Sequence, residues 1–396
     1  MALNTNSEIS ELLSRGVEEV IDKQHLTTAL KGKKQLRVKL GIDPTSPNIH
    51  IGRAVALWKL RAFQELGHTA IFIVGDFTGL VGDTSDKDAE RPMLTEVQVR
   101  ANMKGYFDQA YKILDKKKTE VYHNSKWLKK LGFIELARIS NLFSLHEFAS
   151  REVIARRMKA GQRVTFHEML YPIMQGYDSV AVKADVELGG TDQRFNLLTG
   201  RDIQKFYKQE PQDILMTSIL EGTDGRKMSS SWGNVINITD EPNEMFGKTM
   251  SIPDALIEKY FLLATHVPLQ EIKRVMMEIK NPRDQKLLLA EKITALYHGE
   301  KKASSAKQAF INQFSKGELP EDIETKTVSS KTLSISETLT SAGVAGSKSE
   351  VRRLIAQHGI KLDREVVETD IDVNYSEQPK LFQVGKRKFV KITYKK

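Results

Sequence analysis

The chain contains no cysteine, which excludes disulfides, thiolate metal sites and a cysteine nucleophile, and leaves zinc held by histidine alone as the remaining option of that kind. The absence fits a reducing compartment. No apolar run approaches the roughly 18 to 20 residues that a membrane span needs. The first eight residues are polar and slightly acidic, without an apolar signal region or an Arg-rich amphipathic stretch, so secretion and organelle import are unsupported and a cytoplasmic protein is expected. What is present is ordinary for a soluble globular protein: 396 residues, 40% hydrophobic and 28% charged, enough for two or three domains.

The net charge is +9, a moderate basic excess that suits polyanionic partners without naming one. Its distribution is uneven, for the last fifty residues carry twelve Lys or Arg against seven Asp or Glu. Before them, Ser315 to Lys331 is polar, without hydrophobic period, and carries Gly317 and Pro320, as linkers do. A softer boundary falls near Trp232 to Pro242, where a Gly-rich stretch gives way to helical patterns. The divisions expected are therefore 1–231, 232–314, a linker at 315–331, and 332–396.

The first part reads as α/β. Leu36 to Ile42 is a short apolar strand, and Asp43 to Pro47 is a loop whose two prolines forbid a helix. A helix starts near His50 and ends at Gly67, and Thr69 to Val74 is a second buried strand. Strand, crossover helix and strand make the βαβ unit of a parallel sheet, in which ligands bind beyond the carboxyl ends of the strands. Asp43 and Asp76 stand at such ends, although both also suit simple strand termination and capping.

Three motifs follow from that frame. His50-Ile-Gly-Arg53 opens the helix, where unpaired N–H groups and the helix dipole favour an anion, with Gly52 allowing close approach. Gly225-Arg-Lys-Met-Ser-Ser-Ser231 is a flexible loop with one lysine, Lys227. Thr165-Phe-His-Glu168 reads as a capping box opening a helix on which Tyr171, Gln175 and Asp178 share one face, a polar pocket in an apolar wall. Gly189 to Gln193 then forms a Gly-rich turn after a strand-like Ser179 to Leu188. Each alone has a bland reading as cap, linker or core.

Together the motifs resemble a known family. The first two are similar to the HIGH and KMSKS signatures of class I aminoacyl-tRNA synthetases, and the third, with Gly41 to Pro47 and Gly79 to Asp83, resembles the bacterial tyrosyl-tRNA synthetases. The tail, from Ser347 to Ile355 with Gly359 to Leu362 and Val384 to Phe389, resembles an S4 RNA-binding domain. The resemblance implies a Rossmann-like doubly wound parallel sheet with a helical insertion at about 115–162 forming a homodimer interface, then a helical anticodon-side domain and a small α+β S4-like domain. It implies activation of L-tyrosine by ATP with Mg²⁺, transfer to tRNA(Tyr), and no tightly bound metal.

Residue by residue, the resemblance assigns Asp178 to the phenol, and Tyr171, Gln175 and Asp83 to the ammonium group. Asp43, Thr45, His50, Gly52 and Asp192 fall on the adenylate side, and Gln193 on the carboxylate side. Lys87, Arg91 and Lys227 are the expected pyrophosphate cations, and Lys348, Arg352, Arg353, Lys386, Arg387 and Lys388 the RNA contacts. Three positions depart from the pattern. Arg53 replaces the second histidine of HIGH, Ser230 the second lysine of KMSKS, and Lys39 a tyrosine found in some bacterial members, leaving the phenol to depend more on Asp178. Arg53, Arg226 and Lys227 are expected to offset the missing lysine. A same-fold enzyme for tryptophan and an RNA-binding protein that has lost catalysis are the competing readings.

Overall fold

The computed structural model describes residues 6–83, 93–315, 323–328, 332–374, 378–385 and 388–394, in two compact units, 1–303 and 304–396. The first unit is built on a six-stranded sheet: β1 (Val17–Ile21), β2 (Arg37–Ile42), β3 (Thr69–Val74), β4 (Thr119–His123), β5 (Val186–Gly190) and β6 (Asp213–Thr217). Their order is β1-β6-β5-β2-β3-β4, parallel except for the edge strand β1. β3 is buried along nearly its whole length, and its apolar, β-branched run is what a strand covered on both faces requires. The helix Ile51–Glu65 crosses from β2 to β3 and ends in a Schellman turn: Gly67, at φ 89°, donates its N–H to Gln64 O, and His68 donates to Phe63 O.

The order reverses between β2 and β5, and the register there is unusual. β2 and β3 pair through six residues, Arg37 to Ile42, and β5 and β6 through five. β2 and β5 pair only at Val38–Val186 and Lys39–Glu187, so their carboxyl ends diverge and open a crevice. That crevice is the switch-point site of a doubly wound sheet.

Several sequence expectations are corrected here. The stretch 115–162 is not wholly an insertion, because Thr119–His123 is the outer strand of the sheet, paired parallel with β3; the helices that follow, from Ser125–Leu128 to Glu152–Lys159, leave the sheet. Ser179 to Val182 ends the helix Phe166–Val182 instead of starting a strand. No packing break occurs near residue 232: Ile236, Met245, Phe261 and Ile293 share one core with Leu40, Leu57 and Phe72.

The second unit begins within the helix Glu300–Ser315. Part of the expected linker is a strand, β7 (Thr325–Val328). After β8 (Thr332–Ser334) come the helices Ile335–Ser341 and Lys348–Ala356, then β9 (Ile360–Leu362), β10 (Glu365–Val366), β11 (Asp372–Asn374), β12 (Lys380–Val384) and β13 (Lys388–Tyr394). The larger sheet runs β10-β9-β12-β13-β7 over a core of Ile335, Leu339, Val351, Ile355, Phe382 and Ile392.

Candidate active site

The carboxyl end of β2 delivers Asp43. Its Oδ1 accepts from Thr78 Oγ1 at 2.7 Å and its Oδ2 from the Tyr171 hydroxyl at 2.9 Å. Gly75, at the end of β3, makes room for this, because a Cβ there would lie 2.1 Å from Asp43 Oδ1. Desolvation, with the neighbouring carboxylates, holds the Tyr171 phenol well above its usual range, so it is a neutral donor.

The helix Phe166–Val182 starts in the expected capping box, with Glu168 Oε1 accepting from Thr165 N at 2.9 Å. Arg157 reinforces it through a buried ion pair, Nη1 to Glu168 Oε2 at 2.6 Å. Tyr171, Gln175 and Asp178 project from this helix. Asp178 is buried in a polar cage: Trp127 Nε1 donates to Oδ1 at 2.7 Å and Asn124 Nδ2 to Oδ2 at 3.2 Å. Burial pushes the Asp178 carboxyl up to about 7, opposed by the charge of Lys39 and by these two donors. Asn124 also donates to Thr78 Oγ1 at 2.9 Å, so a continuous chain runs from Asp178 through Asn124 and Thr78 to Asp43. Asn124 and Trp127 lie just after β4, at the cap and on the turn of the helix Ser125–Leu128, and are not legible as site residues in a stretch whose sequence suggests only a helical insertion.

Gln175 receives Asn196 Nδ2 on its Oε1 at 3.1 Å and donates Nε2 to Glu187 at 3.2 Å. Asn196 donates also to Gln193 Oε1 at 3.0 Å, and Gln193 Nε2 donates to Asp83 Oδ2 at 2.6 Å. Asp83, Gln175 and Gln193 are thus brought together.

On the other side of the crevice, His50 caps the helix Ile51–Glu65, its Nδ1 accepting from Arg53 N at 3.3 Å. With Nδ1 an acceptor, the ring proton sits on Nε2. Burial and the charges of Arg53 and Lys227 push the ring down to about 3, so His50 donates as a neutral imidazole and not as a cation. Gly52 lets the second motif approach, since a Cβ there would meet the His50 ring at 3.1 Å and Met228 Cβ at 3.4 Å. The segment after that motif runs alongside the first: Ile51 N donates to Ile236 O at 2.8 Å and Ile238 N to Ile49 O at 3.0 Å.

Lys227 reaches across to Asp192 Oδ2 at 3.0 Å. Ser230 Oγ bonds to Ser46 Oγ at 3.0 Å, tying the second motif to the Pro-rich loop. Arg53 spans Tyr106 OH, at 2.6 Å from Nη1, and Thr45 Oγ1, at 2.8 Å from Nη2. Arg226 is engaged within its own loop, with Nε 2.8 Å from Asp224 Oδ2 and the guanidinium over the Trp232 ring.

Lys87 and Arg91 lie outside the described residues, as do Lys386 and Arg387. In the second unit, Lys348 pairs with Glu337 at 2.7 Å and Arg352 with Asp370 at 3.1 Å; both are exposed, as is Arg353. Lys388 donates to Val344 O. Among the described residues no group of three or more His, Asp or Glu is placed to hold a metal ion, and no helix is long and apolar enough to cross a membrane.

The family profile described as tRNA synthetases class I (W and Y) matches residues 31–315. The chain is 47% identical to a tyrosine–tRNA ligase of Shewanella oneidensis, over 96% of this chain and 97% of that one. It is 44% identical to a tyrosine–tRNA ligase of Thermotoga maritima, with 98% of each chain covered. In fold it is similar to the tyrosyl-tRNA synthetase of Archaeoglobus fulgidus solved with L-tyrosine, at TM-score 0.61 and 22% identity over 76% of this chain and 99% of that one. A C-terminally truncated mitochondrial tyrosyl-tRNA synthetase of Aspergillus nidulans superposes at TM-score 0.66 and 22% identity, over 78% and 95%.

Proposed function

The chain belongs to the class I tRNA synthetases of the tryptophan and tyrosine group, and within it to the tyrosine–tRNA ligases, and from that premise we propose how its residues divide the work. The enzyme activates L-tyrosine with ATP to tyrosyl-adenylate and pyrophosphate, then transfers the tyrosyl group to tRNA(Tyr). A tyrosine carboxylate oxygen attacks the α-phosphorus as the bond to the pyrophosphate oxygen breaks; a terminal ribose hydroxyl of tRNA then attacks the tyrosyl carbonyl and releases AMP. In-line transfer of this kind asks for positioning and for donors around developing charge.

The observation that carries the assignment is the crevice between the diverging ends of β2 and β5, with Asp178 at one end and His50, Lys227 and Asp192 at the other. In this reading Asp178 accepts the phenol proton's hydrogen bond, while Trp127 and Asn124 aim its carboxylate. Phenylalanine is rejected because it leaves that buried acceptor without its partner, a discrimination for which tyrosyl-tRNA synthetase is the standard worked example. Tyr171, Gln175 and Asp83 take the ammonium group, and Gln193 the carboxylate. Asp43, Thr45, Gly52 and Asp192 take the adenylate, with Arg53 orienting Thr45. His50 Nε2–H and Lys227 face the phosphates, with Lys87 and Arg91 as further cations and Ser230 holding the loop to Ser46. Mg²⁺ enters with ATP, held by phosphate oxygens and water as is usual for this ion.

The second unit is the tRNA-binding part in this reading, through Lys348, Arg352, Arg353 and the basic run at Lys386, Arg387 and Lys388. The enzyme acts in the cytoplasm as a homodimer. What supports the dimer is the exposure of Phe133, Ile134 and Leu145, at 84%, 67% and 71%, on the helices that leave the sheet after β4. Tyrosine-dependent exchange of pyrophosphate into ATP tests the activation step, and exchange driven by tryptophan or by no amino acid overturns it. A monomer by light scattering at micromolar concentration overturns the dimer.

A further inference from the structure

We infer that Lys39 and Glu187, the ion pair at the last shared rung of β2 and β5, are positioning residues that fix how Gln175 meets the ammonium group of tyrosine. This rests on the reading of Gln175 given above.

Both side chains are fully buried, with 0% and 1% exposure, and Lys39 Nζ lies 2.8 Å from Glu187 Oε1. A buried ion pair is a weak source of stability, because desolvation offsets its attraction and an apolar pair of similar volume often serves as well. Its hydrogen bonds show what else it does. Lys39 Nζ donates to Gln175 O at 3.0 Å and to Ser179 Oγ at 2.7 Å. Glu187 accepts from Gln175 Nε2 at 3.2 Å, from Ser179 Oγ at 3.0 Å and from Gln212 Nε2. Gln175 is therefore gripped twice, at its main-chain carbonyl by the cation and at its side-chain nitrogen by the anion.

The second grip sets the amide's direction. An ionised carboxylate only accepts, so the Gln175 nitrogen must face Glu187 and the oxygen must face away. Asn196 uses one lone pair of that oxygen, and the other is available for an ammonium N–H. An amide turned the other way would present N–H groups to a cation. Lys39 in turn holds Glu187 in place, its Nζ 2.8 Å from the same Oε1 that accepts from Gln175. The strands separate immediately beyond this rung, so the pair forms the floor of the crevice and sets the amide where the ligand enters.

The test uses the full-length enzyme with two variants, Lys39→Met/Glu187→Met, which removes both charges at similar volume, and Glu187→Gln, which keeps the packing while allowing either amide orientation. Folding is checked by thermal melting. The readouts are KM for L-tyrosine, KM for ATP, and inhibition by the desamino analogue 3-(4-hydroxyphenyl)propionate, which has the phenol and carboxylate but no ammonium. The double variant is expected to raise the tyrosine KM by about tenfold, and Glu187→Gln by about threefold, the scale of a lost or misdirected hydrogen bond to a charged group. The ATP KM and the analogue's inhibition constant are expected to stay within about twofold, since neither engages the amide oxygen. Equal weakening of tyrosine and the analogue, or an unchanged tyrosine KM in either folded variant, overturns the inference. Gln175→Ala separates the two levels: if it leaves the tyrosine KM unchanged, the reading of Gln175 itself has failed, whereas a raised KM there with none in the pair variants defeats only the role of Lys39 and Glu187.

Discussion

Lys227 and Asp192 join the two halves of the crevice directly, Nζ to Oδ2 at 3.0 Å. The cation of the second motif is thus held by a carboxylate on the turn that follows β5.

Because Lys227 is the described cation of the KMSKS-like loop aimed at this crevice, Lys227→Met is expected to slow tyrosine-dependent pyrophosphate exchange by about a hundredfold, the usual scale for removing one preorganised charge from a transition state. The tyrosine KM stays near wild type. Ser230→Ala, which removes only an exposed hydroxyl contact to Ser46, is expected to cost less than about threefold. Single-turnover adenylate formation separates the two, and equal losses would show that the loop's closure, not the cation, limits the step.

Arg53 makes two bonds in different directions, to Tyr106 and to Thr45, which a guanidinium fork can do and an ammonium cannot reproduce. Arg53→Lys is therefore expected to lower kcat/KM for ATP by about tenfold, and Tyr106→Phe, which deletes one anchor, by about threefold, both with the tyrosine KM unchanged. Full activity in Arg53→Lys would mean that only the charge matters.

The crevice was legible because it is made of local signals. Two prolines, a helix start and a strand end place Asp43 and His50 within a few residues of each other, and Tyr171, Gln175 and Asp178 follow helical spacing. Asn124 and Trp127 were not legible, since they reach Asp178 only because β4 pairs with β3, a non-local fact that the weak, half-buried strand Thr119–His123 does not announce. Lys39 was visible as a departure, but its partner Glu187 lies almost 150 residues away and meets it only across the switch point. The break expected at residue 232 failed for a similar reason: a change of local pattern there does not interrupt the shared core.

The ion pair of Arg157 with Glu168 fastens the helices beyond β4 to the first turn of the helix that carries Tyr171, Gln175 and Asp178. Both side chains are buried, so Arg157→Met leaves a carboxylate without its cation and is expected to destabilise the enzyme by about 3 to 5 kcal/mol. Denaturant melts measure this. Adding Glu168→Gln should recover part of the loss, because the remaining charge is then removed while the capping contact to Thr165 persists; no recovery would point to packing of the Arg157 stem as the cause.

On the role proposed for Asp178, tyrosine binding and the stability of the free enzyme are expected to respond to pH with opposite sign. Its carboxyl is pushed up to about 7 by burial, and its two oxygens already accept from Trp127 and Asn124, so a proton there turns an acceptor into a donor within a cage of donors and weakens the acceptor proposed for the phenol. The group is ionised above its folded value, and kcat/KM for tyrosine is therefore expected to fall as pH drops through about 7. Trp127→Phe removes a bond that favours the ionised form and should move this acid limb to higher pH. For folding the sign reverses. Between the ordinary carboxyl value near 4 and about 7 the native state binds more protons at this site than the unfolded chain, so its contribution to stability is greatest below about 4 and declines as pH rises to about 7. Asp178→Asn does not titrate, and its melting temperature relative to wild type is expected to rise with pH across that window. A tyrosine kcat/KM that is flat from about pH 6 to pH 8, together with a constant melting difference, would show that Asp178 stays ionised throughout, and that Lys39, Trp127 and Asn124 together outweigh its burial.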